Sequence, residues 1–386
     1  EIASCLVGSE MCIRDRRILL LNSILYTPRT TPKGRFIPQI DSIEDCMIVK
    51  LGIEFASQGH EITLVAAKEY RPINQQDFPM EIIYFRSIIP NLFLPTVLPF
   101  HPQLIHFIKK HGKEFDMIIS SEIFSFNSLF AACLVPEKTL IWQEAGDHNR
   151  KFFKLPSLIW YHIVARTCMR KVKVIPRSLV AGRFIKQFGL KVSSNFIDHG
   201  VDGKVFHFQK NKKNSFIVVA HLDKDKDVMS IIILYKKFIE RYADKQYILY
   251  IIGEGEESRN LKEYVQSNQL DQQIFFLGRI PQKELSNFLG NAMCLLCNSK
   301  KELNMMSIGE AIVAGTPVIT NTIPYSHEWI NQKKLGIAKD NWTEDDMHEI
   351  VTNNQYYVNN CLLYSSQLLL SGLPNKFVTQ FNLKWL

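Results

Sequence analysis

The feature that most constrains the fold of this sequence is a repeated alternation of short apolar runs with longer amphipathic stretches. The apolar runs of the first half are RILLLN, HEITLVAA, MEIIYF, FDMIIS, TLIWQE and VKVIP, and those of the second half are NSFIVVAHL, YILYIIG, QIFFLG, AMCLLCN and TPVITN. Short apolar strands separated by helices are typical of parallel sheets with crossover connections. Because 386 residues are too many for one ordinary core, the pattern predicts an α/β protein with two doubly wound domains.

The domain boundaries are predicted from where this alternation stops. In residues 199–215, HGVDGKVFHFQKNKKNS, glycine and polar residues replace the periodic apolar ones, so we expect a linker there. The pattern then predicts an N-terminal domain over 17–198 and a C-terminal domain over 216–365. We expect the remaining residues, 366–386, to form a tail that packs back towards the N-terminal domain.

Residues 1–16, EIASCLVGSEMCIRDR, differ in character from the rest of the chain. The codons for MCIRDR resemble the transposase adapter that is joined to fragments in sequencing libraries, so we expect residues 1–16 to be a non-native leader. A signal peptide needs an unbroken apolar run, which Glu1, Gly8 and Glu10 interrupt. The sequence therefore predicts no export signal.

The composition is that of a globular protein, with 46% hydrophobic and 22% charged residues. The cysteines beyond the leader are scattered through apolar surroundings, which suits a reducing cytoplasm. Cys294 and Cys297 have the spacing of a metal-ligand pair, but no second Cys/His pair follows them. We therefore expect a cytoplasmic protein without a metal site at these cysteines.

A basic segment, residues 150–191, carries most of the excess positive charge. No acidic residue lies between Asp147 and Asp198, while lysine and arginine recur and aromatic residues are interleaved, as in KFFKLPSLIWYHIVARTCMRK. Such a mixture favours an anionic, partly apolar surface such as a layer of lipid headgroups. A buried helix with a solvated basic face explains the same pattern, and the sequence leaves both interpretations open.

The strongest local signal is the stretch SKKELNMMSIGEAIVAGTPVIT. It predicts a loop after a strand, a helix from about Ser307, and a glycine stop at Gly315. Glu302 lies in the loop and Glu310 in the first turns of the helix, where free backbone N–H groups suit a phosphate and a carboxylate suits sugar hydroxyls. A structural alternative remains open, because Ser307 and Glu310 also fit a capping box and Glu302 fits a solvated loop charge.

These residues resemble the acidic motif of retaining GT-B glycosyltransferases, in particular those of family 4. Ser299, Glu302, Glu310 and the run EAIVAGTPVIT carry the resemblance. Further stretches follow in the order of the family: SQGHEITLVAA, IDHGVDGKVF, IIGEGEESRNLKEYV and IFFLGRIPQKELSNFLGNA. The resemblance covers essentially residues 17–386 and implies a GT-B fold, in which two Rossmann-like domains face each other across a cleft.

The resemblance also implies a nucleotide-sugar donor held by the C-terminal domain. Carried over residue by residue, Glu310 would hold the ribose hydroxyls, and Glu302 the donor sugar. Lys226, in AHLDKDKD, matches the phosphate-binding lysine and would offset charge on the departing diphosphate. Arg279 and Ile280 would lie near the base, and His221 and Gly253 are further implied donor contacts. The backbone of the segment Asn304, Met305, Met306 and Ser307 would hold the donor sugar and the diphosphate together with Glu302. Gly253 also fits any tight strand-to-helix turn.

Several positions depart from the family's pattern. His221 stands where the family usually has arginine, Asp227 where it usually has glycine, and Asn304–Met305 where it usually has Phe-Gly. The glycine-rich loop after the first strand is also missing, so we expect atypical handling of the acceptor. The family often has a histidine in its first domain near the cleft, and His148 is the candidate for that catalytic position here.

No metal or other cofactor is expected. Asp223, Asp225 and Asp227 resemble a metal-binding repeat, but a calcium loop needs glycine and glutamate where Val228 and Leu234 stand. The alternating lysines offset the charge that a divalent ion would require.

The sequence therefore predicts a retaining glycosyltransferase that moves a sugar from a UDP- or GDP-sugar to a glycan or a lipid-linked glycan in cell-surface polysaccharide synthesis. A cytoplasmic location is expected, with a peripheral position at the inner membrane face left open, and no nucleic acid as partner. The alternatives are a sugar-nucleotide epimerase of similar fold, a catalytically inactive homologue that binds sugar nucleotides, and a non-enzymatic sugar-binding protein.

Overall fold

A computed structural model describes residues 15–25, 40–74, 76–149, 154–242, 246–302 and 305–383. The chain divides into two compact units. The described residues of the first unit fall within Glu1–Arg177, Ala181–Ile197 and Phe377–Leu386, and those of the second unit within Ser178–Val180 and Asp198–Lys376. Each unit is built around its own parallel sheet.

The first unit contains a seven-stranded sheet in the order β3-β2-β1-β4-β5-β6-β7. Its strands are β1 (Arg17–Leu21), β2 (Glu61–Ala67), β3 (Glu81–Phe85), β4 (Met117–Ser121), β5 (Thr139–Gln143), β6 (Lys173–Pro176) and β7 (Lys191–Val192). The first six helices in chain order are α1 (Met47–Ser57), α2 (Gln103–His111), α3 (Phe126–Leu134), α4 (Leu155–Ile159), α5 (Arg166–Cys168) and α6 (Leu179–Lys186). A π-helical turn, Trp160–Ala165, joins α4 to α5. In β1, residues 18–21 are fully buried, as expected for a parallel strand covered on both faces.

The second unit contains a six-stranded sheet in the order β10-β9-β8-β11-β12-β13. Its strands are β8 (Lys213–Val219), β9 (Ile248–Ile252), β10 (Ile274–Gly278), β11 (Ala292–Leu296), β12 (Val318–Thr320) and β13 (Gly336–Ala338). The helices that follow in the chain are α7 (Val228–Tyr242), α8 (Ser258–Ser267), α9 (Gln282–Asn291), α10 (Met306–Val313), α11 (His327–Lys333), α12 (Glu344–Thr352), α13 (Asn354–Ser365) and α14 (Leu373–Asn382). Apolar side chains on both faces of the sheet form the core of this unit.

The two doubly wound sheets predicted from the sequence are confirmed, and each apolar run named above contains a strand. The short edge strands β7 and β13 were missed, because strands of two and three residues leave almost no periodic signal. The predicted linker, 199–215, is too long at its C-terminal end, since β8 begins at Lys213. Of the predicted tail, residues 366–376 group with the second unit and the described residues 377–383 with the first.

In each sheet the strand order reverses at one point, between β1 and β4 in the first unit and between β8 and β11 in the second. Loops leaving neighbouring strands at such a point diverge to opposite faces of the sheet. Open α/β sheets bind ligands in the crevice that this leaves at the carboxyl ends of the strands. The loops that follow β8 and β11 are therefore where a ligand of the second unit is expected.

None of the helices in the described part of the chain is long and apolar enough to cross a membrane.

Candidate functional site

The structure brings together two of the predicted catalytic residues at the strand-order reversal of the second unit. Lys226 lies in the loop after β8 and Glu302 in the loop after β11, and the lysine Nζ donates to the carboxylate Oε2. The two side chains are 19% and 10% exposed. A charged pair so little exposed is stable only when both members are present, because removing one leaves the other charge buried and unpaired.

Asp227 ties the same two loops together. Its carboxylate Oδ1 lies 3.1 Å from the Lys300 Nζ, and its Oδ2 accepts hydrogen bonds from Asn298 Nδ2 at 3.2 Å and from Ser230 Oγ at 2.8 Å. The Lys300 N–H also donates to the carbonyl of Asp225 at 2.6 Å. The φ angle of Asp227 is +45°, in the left-handed region. Glycine is favoured at such a position, but aspartate is among the residues that tolerate it. The departure from the family's glycine is therefore compatible with the backbone.

Gly253 and Gly255 allow the loop after β8 to lie directly on the loop after β9. A Cβ atom on Gly253, whose φ is +135°, would lie 1.8 Å from the Ala220 carbonyl oxygen, and one on Gly255 would lie 2.2 Å from that of Leu222. The Leu222 N–H donates to the carbonyl of Glu254 at 3.0 Å across the same contact. The structure thus gives Gly253 a packing role.

The helix α10 begins at Met306, one residue earlier than predicted. Met305 is its extended N-cap residue and makes no side-chain cap hydrogen bond. Ser307 lies inside the helix, where its hydroxyl donates to the carbonyl of Val219 at 3.4 Å, so the capping box with Ser307 as the cap residue is not formed. Glu310 is buried one turn into the helix. Asn304 lies outside the described residues.

The remaining predicted donor contacts lie near the carboxyl ends of β8 and β10. His221 is exposed in the loop after β8. Arg279 follows Gly278, the last residue of β10, and its Nε lies 3.9 Å from Glu254 Oε2 in an exposed pair that contributes little stability. Ile280 is half-buried against the core of the second unit. These residues therefore lie along the same edge of the sheet as Lys226.

Buried polar atoms at the ends of β11 and β12 were missed by the sequence analysis as candidate site atoms. Ser299 Oγ and Thr320 Oγ1 are buried and have no hydrogen-bond partner among the described residues, and the same holds for Asn321 Oδ1. The Asn321 Nδ2 donates to the carbonyl of Ser299 at 2.7 Å. Unsatisfied buried polar atoms are uncommon in folded proteins, and water or a polar ligand usually satisfies them. The stretch VITN could have indicated Thr320 and Asn321, since these polar residues lie at the end of a buried strand.

His148, the third predicted catalytic residue, belongs to the first unit and is embedded in aromatic rings. Its ring centroid lies 5.1 Å from that of Phe184 and 5.4 Å from that of Tyr161, and its Nδ1 lies 3.2 Å from Ser157 Oγ. Desolvation lowers the pKa of His148, opposed by Asp147. These contacts favour a neutral imidazole with one nitrogen already engaged by a hydroxyl.

A second acidic cluster, also missed, lies at the carboxyl ends of β4 and β5. Glu122 has a φ of +65°, and its carboxylate accepts hydrogen bonds from Gln143 Nε2 at 2.9 Å and from the Glu144 N–H at 2.7 Å. Arg177 NH1 donates to Glu144 at 2.8 Å, and the guanidinium carbon lies 3.7 Å from the centroid of the Trp142 ring. Burial raises the pKa of Glu122 to about 7, with Arg177 lowering it and Glu144 raising it. Residues 143 and 144 were visible in the sequence at a strand end, but Glu122 carried no motif.

The basic segment, 150–191, presents a mixed face to solvent. Leu155, Ile159 and Ile163 are spaced four residues apart along α4 and the π-helical turn, and their side chains are 59%, 48% and 59% exposed. The aromatic residues Trp160 and Tyr161 are buried instead, so they pack into the core rather than line the surface. Among the described residues of this segment the exposed basic ones are Arg166, Arg170, Lys171, Arg183, Lys186 and Lys191. Residues 150–153 lie outside the described residues.

An apolar groove of about 460 Å³ lies beside this face in the first unit. Its lining includes Leu92, Phe93, Leu98, Phe124 and Leu155.

Residues 204–353 match the model of the family described as Glycosyl transferases group 1. The 2-deoxystreptamine N-acetyl-D-glucosaminyltransferase of Niallia circulans is 23% identical over 170 residues, which cover 42% of this chain and 43% of the relative. The Alpha-monoglucosyldiacylglycerol synthase of Streptococcus pneumoniae is 26% identical over 196 residues, or 47% of this chain and 44% of the relative. The O-antigen biosynthesis glycosyltransferase WclY of Escherichia coli is 26% identical over 247 residues, or 59% and 67%. The chain thus spans less than half the length of the first two relatives.

Solved structures match a larger share of the chain than these relatives do. Sucrose-phosphate synthase from Thermosynechococcus elongatus has a TM-score of 0.65 at 14% identity, covering 95% of this chain and 98% of that one. HepE of Anabaena, solved in complex with UDP and glucose, has a TM-score of 0.59 at 14% identity with the same coverage. These likenesses show that the chain has the GT-B fold predicted from its sequence. The matched family model and two of the three relatives above are described by name as glycosyltransferases.

Proposed function

We propose that this protein is a retaining glycosyltransferase of family 4, which moves a sugar from a UDP- or GDP-sugar to a glycan or lipid-linked glycan acceptor in cell-surface polysaccharide synthesis. The observation that carries the proposal is the ion pair of Lys226 with Glu302 at the strand-order reversal of the second sheet, within the residues that match the glycosyltransferase family. The structure of HepE with UDP and glucose supports a nucleotide-sugar donor for a protein of this fold.

The roles proposed for the donor site follow from the chemistry of its groups. Lys226 places a positive charge where the diphosphate would leave, which is the largest electrostatic demand of glycosyl transfer. The start of α10 offers the backbone N–H groups of Met306 and Ser307 to the phosphates. Glu310 accepts hydrogen bonds from the ribose, Glu302 accepts them from the donor sugar, and Arg279 and Ile280 lie by the base.

A retaining reaction at this site needs no carboxylate nucleophile. In the proposed mechanism the acceptor attacks the face that the nucleotide leaves, and a phosphate oxygen takes the acceptor proton. Glu302 is paired with Lys226, so its carboxylate is held for binding rather than for attack on the sugar. His148 remains the proposed catalytic residue of the first unit, but the acceptor proton goes to the phosphate oxygen and not to its imidazole. We propose that Lys226 and the start of α10 offset the negative charge of the phosphates, so that no metal ion is needed.

We also propose that the acceptor is handled at an anionic membrane surface, which the protein contacts through the basic segment 150–191. The apolar face of Leu155, Ile159 and Ile163, with Arg166 further along the same helical stretch and more basic residues just beyond it, is the pattern of a helix that lies in a membrane interface. Lipid-facing residues supply apolar burial, and each basic residue near an anionic leaflet adds attraction that salt screens. The relative that is named a monoglucosyldiacylglycerol synthase makes a glycolipid, which is consistent with such an acceptor.

The test of the donor site is thermal-shift binding of the full chain to a panel of UDP, GDP and their sugar conjugates. We expect stabilisation by one nucleotide series, and we expect Glu310→Ala to abolish it. Glu284→Ala, in the first turn of α9, is the matched control and should bind as the parent does. Stabilisation by no nucleotide would contradict the proposal.

The epimerase alternative finds no support in the comparisons. Product analysis separates it from transfer, because an epimerase would release an isomerised sugar nucleotide in the absence of any acceptor.

A further inference from the structure

We propose that Asp227 is a positioning residue that aligns Lys226 with Glu302 for the diphosphate of the donor. This inference rests on the proposed function of the site. It assigns a role to the position at which this chain departs from the glycine of the family it resembles.

The geometry around Asp227 is that of a hub between three elements. Ser230, which donates to its Oδ2, lies in the first turn of α7, while Asn298 and Lys300 lie in the loop after β11. The left-handed backbone at Asp227 turns the chain sharply between Lys226 and the helix. The carboxylate therefore holds the loop after β11 at a set distance from the residue that precedes it, which is the lysine of the ion pair.

Two ion pairs join the two loops, and each loop supplies the cation of one pair and the anion of the other. The loop after β8 contributes the cation of one pair, Lys226, and the anion of the other, Asp227; the loop after β11 contributes Glu302 and Lys300. Lys300 is largely exposed whereas Lys226 is mostly covered. Because Asp227 forms an ion pair with Lys300, it is Lys226 that pairs with Glu302. An exchange of partners between the two lysines would move positive charge away from the covered end of the site.

A glycine at 227 would keep the backbone turn and lose all three side-chain contacts. Asparagine also tolerates the left-handed region, and its Oδ1 can still accept from Ser230 and Asn298. Asp227→Gly therefore tests the three side-chain contacts together. Asp227→Asn tests whether the hydrogen bonds suffice to hold the loop without the charge of the carboxylate.

The experiment measures the dissociation constants of UDP and GDP by isothermal titration calorimetry, using the full chain. For whichever nucleotide binds more tightly, we expect Asp227→Gly to weaken binding about tenfold, a coupling of the size found between residues in contact. Asp227→Asn should weaken it less than Asp227→Gly does. Gln269→Gly is the matched backbone control, since Gln269 also has a left-handed φ, +56°, in the same unit, and it should bind as the parent does.

A double-mutant cycle separates positioning from a general effect on the fold. If Asp227 acts through Lys226, then Asp227→Gly has no further effect on binding in a Lys226→Ala background. An equal loss in both backgrounds, or unchanged binding by Asp227→Gly in the parent, overturns the inference while leaving the proposed function intact. Binding of neither nucleotide by the parent chain overturns both.

Discussion

The ammonium of Lys226 and the carboxylate of Glu302, 76 positions apart in the chain, form an ion pair between the loops that leave β8 and β11. These strands are neighbours at the point where the order of the second sheet reverses. The pair therefore lies where parallel sheets bind their ligands, and each of its members can be tested separately.

Lys226→Ala should lower donor-dependent transfer, or hydrolysis of the donor, by about 10²–10³-fold, the loss typical for removing one group that stabilises charge in a transition state. It should also lower the melting temperature, because the mostly buried carboxylate of Glu302 loses its ion pair with the Lys226 ammonium. The loss of activity is measured as release of nucleotide from the sugar nucleotide that binds in the thermal-shift panel. The loss of stability is measured by a thermal unfolding curve.

Adding Glu302→Gln to Lys226→Ala should restore the melting temperature in part without restoring activity. This double variant separates the cost of an unpaired charge from the loss of the catalytic group. Lys236→Ala, which removes a lysine paired with Glu240 on α7, is the control and should leave activity unchanged. Full activity in Lys226→Ala would show that this lysine has no part in the reaction.

Gly253→Ala should destabilise the second unit by about 2–4 kcal/mol, the range expected when strain at a special backbone angle adds to a steric clash. The physical reason is the carbonyl oxygen of Ala220, which lies 1.8 Å from the position of the new Cβ. Urea unfolding measures the change in the free energy of unfolding.

The matched control is Gly372→Ala, where no atom of the described residues, apart from Gly372 and its chain neighbours, lies within 4 Å of the new Cβ. A free energy of unfolding for Gly253→Ala equal to that of the parent would mean that the loop after β8 moves freely, contrary to the structure.

Ile159→Glu and Ile163→Glu should each reduce binding to vesicles of phosphatidylcholine with phosphatidylglycerol several-fold. A carboxylate on the exposed face removes apolar burial and adds repulsion from anionic lipid. Co-sedimentation with the vesicles measures binding, which should also fall as salt is raised.

Leu363→Glu is the control for the membrane prediction, because Leu363 is 78% exposed but belongs to α13 of the second unit. Equal losses in the control and in the variants of the basic segment would argue against a docking face. Failure of the parent chain to sediment with anionic vesicles would refute the membrane contact outright.

Lys212 provides a pH-dependent contribution to stability. Its Nζ donates to the carbonyls of Gly290 and Ala314 and to Thr316 Oγ1, and burial lowers the pKa of its ammonium to about 7 from an ordinary value of 10.5. Between these values the unfolded chain binds the proton that the folded chain has released. Stability from this group therefore rises with pH between about 7 and 10.5, by at most about 1.4 kcal/mol per unit.

Lys212→Met should remove this rise. The difference in the free energy of unfolding between the parent and the variant should grow from pH 7 to pH 9, as measured by urea unfolding at each pH. A difference that is independent of pH would show that Lys212 keeps its ordinary pKa in the folded state.

Removal of divalent metal by EDTA should leave transfer unchanged within about twofold, because the proposed site places Lys226 and the start of α10 against the phosphate charge. Among the described residues no group of three or more His, Cys, Asp and Glu side chains is arranged to hold a metal ion. Activity lost with EDTA and restored by Mg²⁺ or Mn²⁺ would contradict the metal-independent proposal.

The parallel strands and the loop and helix of the acidic motif were predictable from local sequence, because burial on both faces imposes continuous apolar runs and a helix imposes its own period. The resemblance to a family also indicated Lys226 and Glu302 as partners of one ligand. Their ion pair was not predictable, since no pattern within either loop encodes a contact between residues so far apart in sequence.

Other features depended on contacts that only folding creates. The buried rings of Trp160 and Tyr161 and the exposed side chains of Ile159 and Ile163 are all hydrophobic in sequence, and the packing of the π-helical turn decided which of them face solvent. Glu122 could be recognised as part of an acidic cluster only from the pairing of β4 with β5, which brings it to Gln143 and Glu144.

The sequence by itself determined the two parallel sheets and the identity of the groups at their carboxyl ends, because those depend on local periodicity and on residue chemistry. Only the tertiary structure decided that Gly253 supports a neighbouring loop, that Asp227 occupies a left-handed turn, and that its carboxylate holds Lys300. The physical reason is that steric clearance and electrostatic pairing depend on distances between atoms, and those distances are defined once strands far apart in sequence lie side by side.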